Sequence, residues 1–130
     1  MVVGLALAHA TSLLNVLRNT AYSGISPFVQ LHTADPGAAG TTAISVGSAT
    51  RNAATWNAPS GSNPTTMTIA TLSAWTNGGT SETITHISIW TLSSGGSFLV
   101  SGALSVSQAW VSTNTLTITT LTLSFTPTAA

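Results

Sequence analysis

The chain has no cysteine and no lysine in 130 residues, and four side chains carry its full charges: Arg18, Asp35, Arg51 and Glu82. Each absence excludes something. Without cysteine there is no disulfide framework, no thiol nucleophile and no cysteine-ligated zinc, while the redox compartment stays open. Net charge is zero with no basic cluster, so the electrostatic footprint that nucleic-acid binding requires is missing. Attraction to anionic membranes is missing for the same reason. No apolar run approaches the roughly 20 residues of a transmembrane helix. A charged fraction of 3% also removes the usual protection against self-association, since ordinary domains run at about a quarter.

The polar residues present are Ser and Thr, which make up about a third of the chain, far above ordinary usage. They give a neutral, hydrogen-bonding surface that tolerates close contact and suits a protein packed against copies of itself or a larger assembly. The length fits one domain with a real core.

The amino terminus opens with a short apolar run, Val2 to Ala8, followed by alanine pairs that resemble a cleavage site. No Lys or Arg precedes it, as a secretory signal requires, and the pattern continues as a helix. At 100° per residue Leu5, Ala6, Leu7, Ala10, Leu13, Leu14, Val16 and Leu17 share one broad arc, opposite Thr11, Ser12, Asn15, Arg18 and Asn19. The spacing predicts an amphipathic helix over about residues 3–19 that docks on its own domain or on a neighbour. The expected division is 1–22 as helix and linker and 23–130 as a β domain.

Past residue 20 the period changes to two. Turn chemistry at Ser23-Gly24 and Ser26-Pro27 opens a strand, Phe28 to Thr33, which Asp35-Pro36-Gly37 closes. A Gly- and Ala-rich loop to about residue 43 leads into an extended, poorly patterned stretch from Ile44 to Trp56, then a loop from Pro59 to Pro64. Met67 to Leu72 alternates cleanly before a turn at Asn77-Gly78-Gly79. In Thr83 to Thr91, Ile87 and Ile89 face one side and Ile84, His86 and Trp90 the other, which predicts a central strand covered on both faces. A turn at 93–96 leads into Phe98-Leu99-Val100. The final alternation, Leu116 and Ile118, resumes as Leu121, Leu123 and Phe125 with its phase flipped at Thr119-Thr120, which reads as a bulge or a strand crossing between sheets. Six to eight strands behind one helix predict a mainly β fold, a single β-sandwich or jelly-roll-like domain.

Little here points to chemistry. Asp35 and Glu82 are the only acids; the first sits in a turn where it bonds local backbone, the second at a solvated strand boundary. No Gly-x-Ser-x-Gly elbow accompanies the serines. His9 lies on the flank of the helix arc and reads as a packed neutral imidazole. His32 and His86 lie inside strands that could pair, but two imidazoles without cysteine make a weak metal site, and packing is the favoured reading. No enzyme, metal or cofactor is expected. Trp90 reads as core. Trp56, Trp75 and Trp110 fall at strand ends, where core, protein contact and a sugar platform are open in that order.

Residues 12–22 (Ser-Leu-Leu-Asn-Val-Leu-Arg-Asn-Thr-Ala-Tyr) and 28–37 (Phe-Val-Gln-Leu-His-Thr-Ala-Asp-Pro-Gly) resemble a family of small structural proteins of tailed bacteriophages. Members are commonly labelled tail-fibre, minor tail or capsid-decoration proteins. Three later segments fit the same order: Thr50 to Trp56, Thr85 to Trp90 and Gly95 to Leu104. The chain departs from the pattern at Thr91, where similar sequences often carry aspartate, at Asn19, where they often carry glycine, and in a shorter step at Thr119-Thr120. The resemblance implies a non-enzymatic virion component with no catalytic residues to carry over. The leading expectation is a capsid decoration or minor capsid protein that binds and reinforces the assembled shell as a homo-oligomer. The alternative is a minor tail, tail-tip or fibre protein acting in tail assembly or host contact, and a third reading is a carbohydrate-binding module. Expected partners are other virion proteins, major capsid subunits or tail proteins, and neither nucleic acid nor membrane. The expected location is the particle surface, after synthesis in the host cytoplasm. Leu13, Leu17, Tyr22, Asp35, Pro36, Trp75 and Trp110 are the interface candidates.

Overall fold

A computed structural model describes residues 4–21 and 25–126. These contain one helix, α1 (Leu7–Val16), and eight strands: β1 (Phe28–His32), β2 (Asn52–Trp56), β3 (Thr65–Leu72), β4 (Trp75–Thr76), β5 (Glu82–Trp90), β6 (Phe98–Trp110), β7 (Thr115–Leu116) and β8 (Thr122–Phe125). Six strands form an antiparallel sheet in the order β6-β5-β1-β2-β3-β8, and β4 pairs with β7 alone. The sheet curls until Leu121 to Leu123, entering and within β8, wall a cavity of about 100 Å³ together with β5 and β6. The result is a mainly β, sandwich-like domain behind an N-terminal helix, and the two layers are largely one sheet folded over on itself.

β5 sits between β1 and β6 and is buried on both faces. Its inner face sets Ile87 and Ile89 with Val29, Leu31 and Leu99 in the apolar core, where each large side chain contributes about 1.5–3 kcal/mol. On the other face the loop between β1 and β2 closes over the strand. Gln30 donates to the Ala49 carbonyl at 3.0 Å, and the Arg51 guanidinium stacks over Trp90, 3.6 Å from the ring centroid. Gly40 takes a φ of +71°, and a Cβ there would lie 2.7 Å from the Phe98 ring. Only glycine lets the loop approach so closely.

The flipped phase near Thr119-Thr120 marks a crossing between sheets. Leu116 pairs with Trp75 in the small sheet, while Leu123 pairs with Met67 in the large one. β6 runs for 13 residues, well past the short strand that Phe98-Leu99-Val100 suggests, and Ser105 to Ala109 within it are exposed on both faces. Of the extended, poorly patterned stretch from Ile44 to Trp56 only β2 forms a named strand, with Ile44 making an isolated bridge to His32.

The chain enters along β6. Ala6 N–H donates to the Leu99 carbonyl at 2.7 Å, and Ser101 N–H donates to the Gly4 carbonyl at 2.9 Å. α1 follows and ends near Asn19, which holds a φ of +59°. Asparagine tolerates that left-handed geometry better than most residues, so the chain turns there without glycine.

Candidate functional site

α1 is oriented opposite to the simplest amphipathic expectation. Ala8, His9, Ser12 and Asn15 look toward the β domain and line a cavity of about 280 Å³ with Thr91, Ser97 and Leu99. The leucine arc points away. Leu7 is 83% exposed, Leu14 65% and Leu17 85%, with Leu13 and Val16 also exposed. No residue of the helix is buried. A ten-residue helix is marginal in water on its own and normally draws its stability from a packed apolar face. Here that face is presented outward.

A second apolar feature adjoins it. A groove of about 650 Å³ lies along the inner face of the curled sheet, its walls including Leu5, Ile25, Trp56, Met67, Leu123 and Phe125. Phe125 is 54% exposed at its edge, and His9 reaches the groove from the helix. Burial lowers the His9 pKa from its ordinary value, favouring neutral imidazole.

The charged side chains add little to the surface. Of the four, Arg18 alone is exposed. Arg51 donates to Gln30 Oε1 at 3.2 Å and to the Leu92 and Gly95 carbonyls at 3.3 and 2.6 Å, tying two loops together. Glu82 accepts from the backbone N–H groups of Val46 and Gly47 at 3.1 and 3.0 Å and from the Ser45 hydroxyl. It is a structural anchor, and the solvated role expected of it is corrected.

His32 and His86 face each other in the register of β1 and β5, yet only His32 is tied into a buried network; His86 Nδ1 bonds the Thr85 hydroxyl at 2.8 Å, and its buried Nε2 has no hydrogen-bond partner. A carbonyl can only accept, so the contact at 2.8 Å to the Thr42 carbonyl places the proton on Nδ1 of His32. Nε2 then accepts from the Ser88 hydroxyl at 2.7 Å, and Ser88 Oγ accepts from the Trp90 indole N–H at 2.7 Å. Burial is the largest influence on His32 and pushes its pKa down, with smaller contributions from His86 and Arg51 in the same direction; the bond to Thr42 opposes it. Among the described residues no three His, Cys, Asp or Glu groups gather as a metal site.

The structure divides the interface candidates. Leu13 and Leu17 are accessible on α1, and Tyr22 lies outside the described residues. Asp35 is half-buried, and its Oδ1 accepts the Gly37 N–H at 2.9 Å, as the turn chemistry predicts. Pro36 is fully buried beside it. Trp75 and Trp110 require correction: both are 2% exposed, and their indole N–H groups donate at 2.9 Å to the carbonyls of Thr50 and Asn114. Both rings belong to the buried apolar core, the reading placed first for tryptophan at a strand end. With Trp90 also buried, the sugar-platform reading keeps only half-buried Trp56. The features not singled out from sequence are Leu7 and Leu14, whose arc was visible but whose direction was not, and the groove, which exists only once the sheet curls.

These observations define a small sandwich-like β domain with exposed apolar side chains and almost no surface charge. A family model described as Podophage GP4 fiber I protein gp80 matches residues 5–126. The chain belongs to that family, whose description is that of a tailed-phage structural protein labelled as fibre. Comparison with curated proteins gives no match.

Proposed function

We propose that this chain is a non-enzymatic structural component of the tail or fibre apparatus of a tailed phage particle, working through protein contacts with neighbouring virion proteins. The observation that carries the reading is the match to a fibre family over residues 5–126. The outward leucines of α1 and the nearly uncharged surface support it, because exposed contiguous apolar side chains mark contact sites. The fibre description favours the tail over decoration of the head, which composition and resemblance alone had placed first. The non-enzymatic reading draws on Glu82, which anchors a loop, and on His32, whose two ring nitrogens both have partners. Separating heads from tails in purified particles and counting this chain by quantitative mass spectrometry tests the proposal. A small fixed number of copies travelling with tails supports it. Hundreds of copies on heads restore the decoration reading, and absence from particles ends the virion reading.

A further inference from the structure

We propose that Asn77-Gly78 is a self-modification site that the native fold holds closed. When this corner opens, the Gly78 backbone nitrogen attacks the Asn77 side chain, and the product can no longer rebuild the corner. Asn77 directly follows β4 and is buried, at 2% exposed. Its Nδ2 donates to the Thr80 and Trp110 carbonyls at 2.7 and 3.1 Å. Its Oδ1 accepts the Gly79 and Thr80 N–H groups at 2.9 and 3.0 Å. Its backbone N–H donates to the Asn114 carbonyl at 3.0 Å, and its carbonyl accepts from Thr113 N–H at 3.2 Å. One residue thus joins β4, the turn after it, the end of β6 and the segment leading into β7.

Two features keep the reaction silent in the fold. Attack needs a free Gly78 nitrogen, and that N–H donates to the Gly47 carbonyl at 2.7 Å. Gly47 is itself fixed, its N–H donating to Glu82 at 3.0 Å. Attack also needs the Asn77 carboxamide to turn toward Gly78, and its four side-chain hydrogen bonds hold it in place. A Cβ on Gly47 would lie 2.9 Å from Asn77 Cγ, so the carboxamide has no room to swing on that side. Once the corner opens, Gly78 leaves the approach unhindered because it has no side chain. Its nitrogen bonds to Asn77 Cγ, the Cγ–Nδ2 bond breaks, and ammonia leaves with the proton of the attacking N–H. Water then opens the cyclic imide to aspartate or its β-linked isomer, with no electron transferred. Either product lacks the Nδ2 donor. The Thr80 and Trp110 carbonyls then lose their partner and face a carboxylate, an arrangement that burial penalises.

The test uses the full natural chain, held at mildly alkaline pH either folded or in urea. Residue 77 is then read by digestion and mass spectrometry, with the two aspartyl products separated by chromatography. Asn77 is expected to convert at least about tenfold faster in urea, because the native rate follows the open population and each tenfold corresponds to about 1.4 kcal/mol of opening. After the urea is diluted away, the compact fraction recovered by size exclusion is expected to carry asparagine at 77, with converted chains left out of it. Gly78→Ala adds a Cβ that meets nothing closer than the Gly47 carbonyl at 3.3 Å. It is expected to slow conversion in urea and to raise the refolded yield after the same incubation. Equal rates in the folded and urea samples overturn the inference, as do compact refolded chains that carry aspartate or its isomer at 77.

Discussion

At the scale of single residues, the molecule turns scarce polar and charged groups inward. Ser88 is the clearest case. Its hydroxyl serves His32 Nε2 and the Trp90 indole N–H, and all three residues are at most 5% exposed. Ser88→Ala leaves two buried groups without a partner, and each such loss costs about 1–3 kcal/mol. The expected result is a lower denaturant midpoint with an unchanged slope. His32 gives a pH dependence whose sign is fixed. Its pKa is lowered from 6.5 in the folded chain by burial, so on acidification the unfolded chain binds the proton first. Stability is full above pH 6.5 and falls as the pH drops through the folded value. His9 adds a change of the same sign. Denaturation midpoints collected between pH 7.5 and 5 are expected to decline for the natural chain and to decline less steeply for His32→Gln.

At the scale of elements, the loop between β1 and β2 is held by close approach. Gly40→Ala would place a methyl group 2.7 Å from Phe98 and 2.9 Å from Trp90, at a φ of +71°. Overpacking of this kind costs about 1–3 kcal/mol, and a lower melting temperature together with altered tryptophan fluorescence is the expected readout. The strands were largely legible from sequence because period-two patterning is local: β1, β3 and β5 fall where alternation puts them, and the flipped phase at Thr119-Thr120 foretold the passage from β7 to β8. The loops were less so. Glu82 looked solvated because its partners, Val46 and Gly47, are more than 30 positions away. Trp75 and Trp110 stood open to a contact role beside a core one because the two-residue strands β4 and β7 carry no pattern of their own. For α1 the sequence showed an apolar arc but could not show which way it faced. At the 91–97 turn, Thr91 closes the loop through its side chain. Its hydroxyl accepts the Ser97 N–H at 2.9 Å, the same service a carboxylate oxygen would give.

At the scale of the whole molecule, zero net charge and one exposed charged side chain make association a matter of apolar area and hydrogen bonds. Screening acts on charges, so self-association is expected to vary by less than about threefold between 0.05 and 0.5 M salt. A steep loss with salt would reveal electrostatic steering that the surface does not contain. The same economy of charge suits a component that stays within an assembly, where neighbours cover its apolar faces. The most direct measurement is electron cryomicroscopy of the intact particle at a resolution that identifies this chain. The account predicts density for it in the tail or its fibres, with Leu7, Leu14 and Leu17 covered by a neighbouring subunit. Its absence from the tail, or copies there whose helix leucines all face solvent, would contradict it.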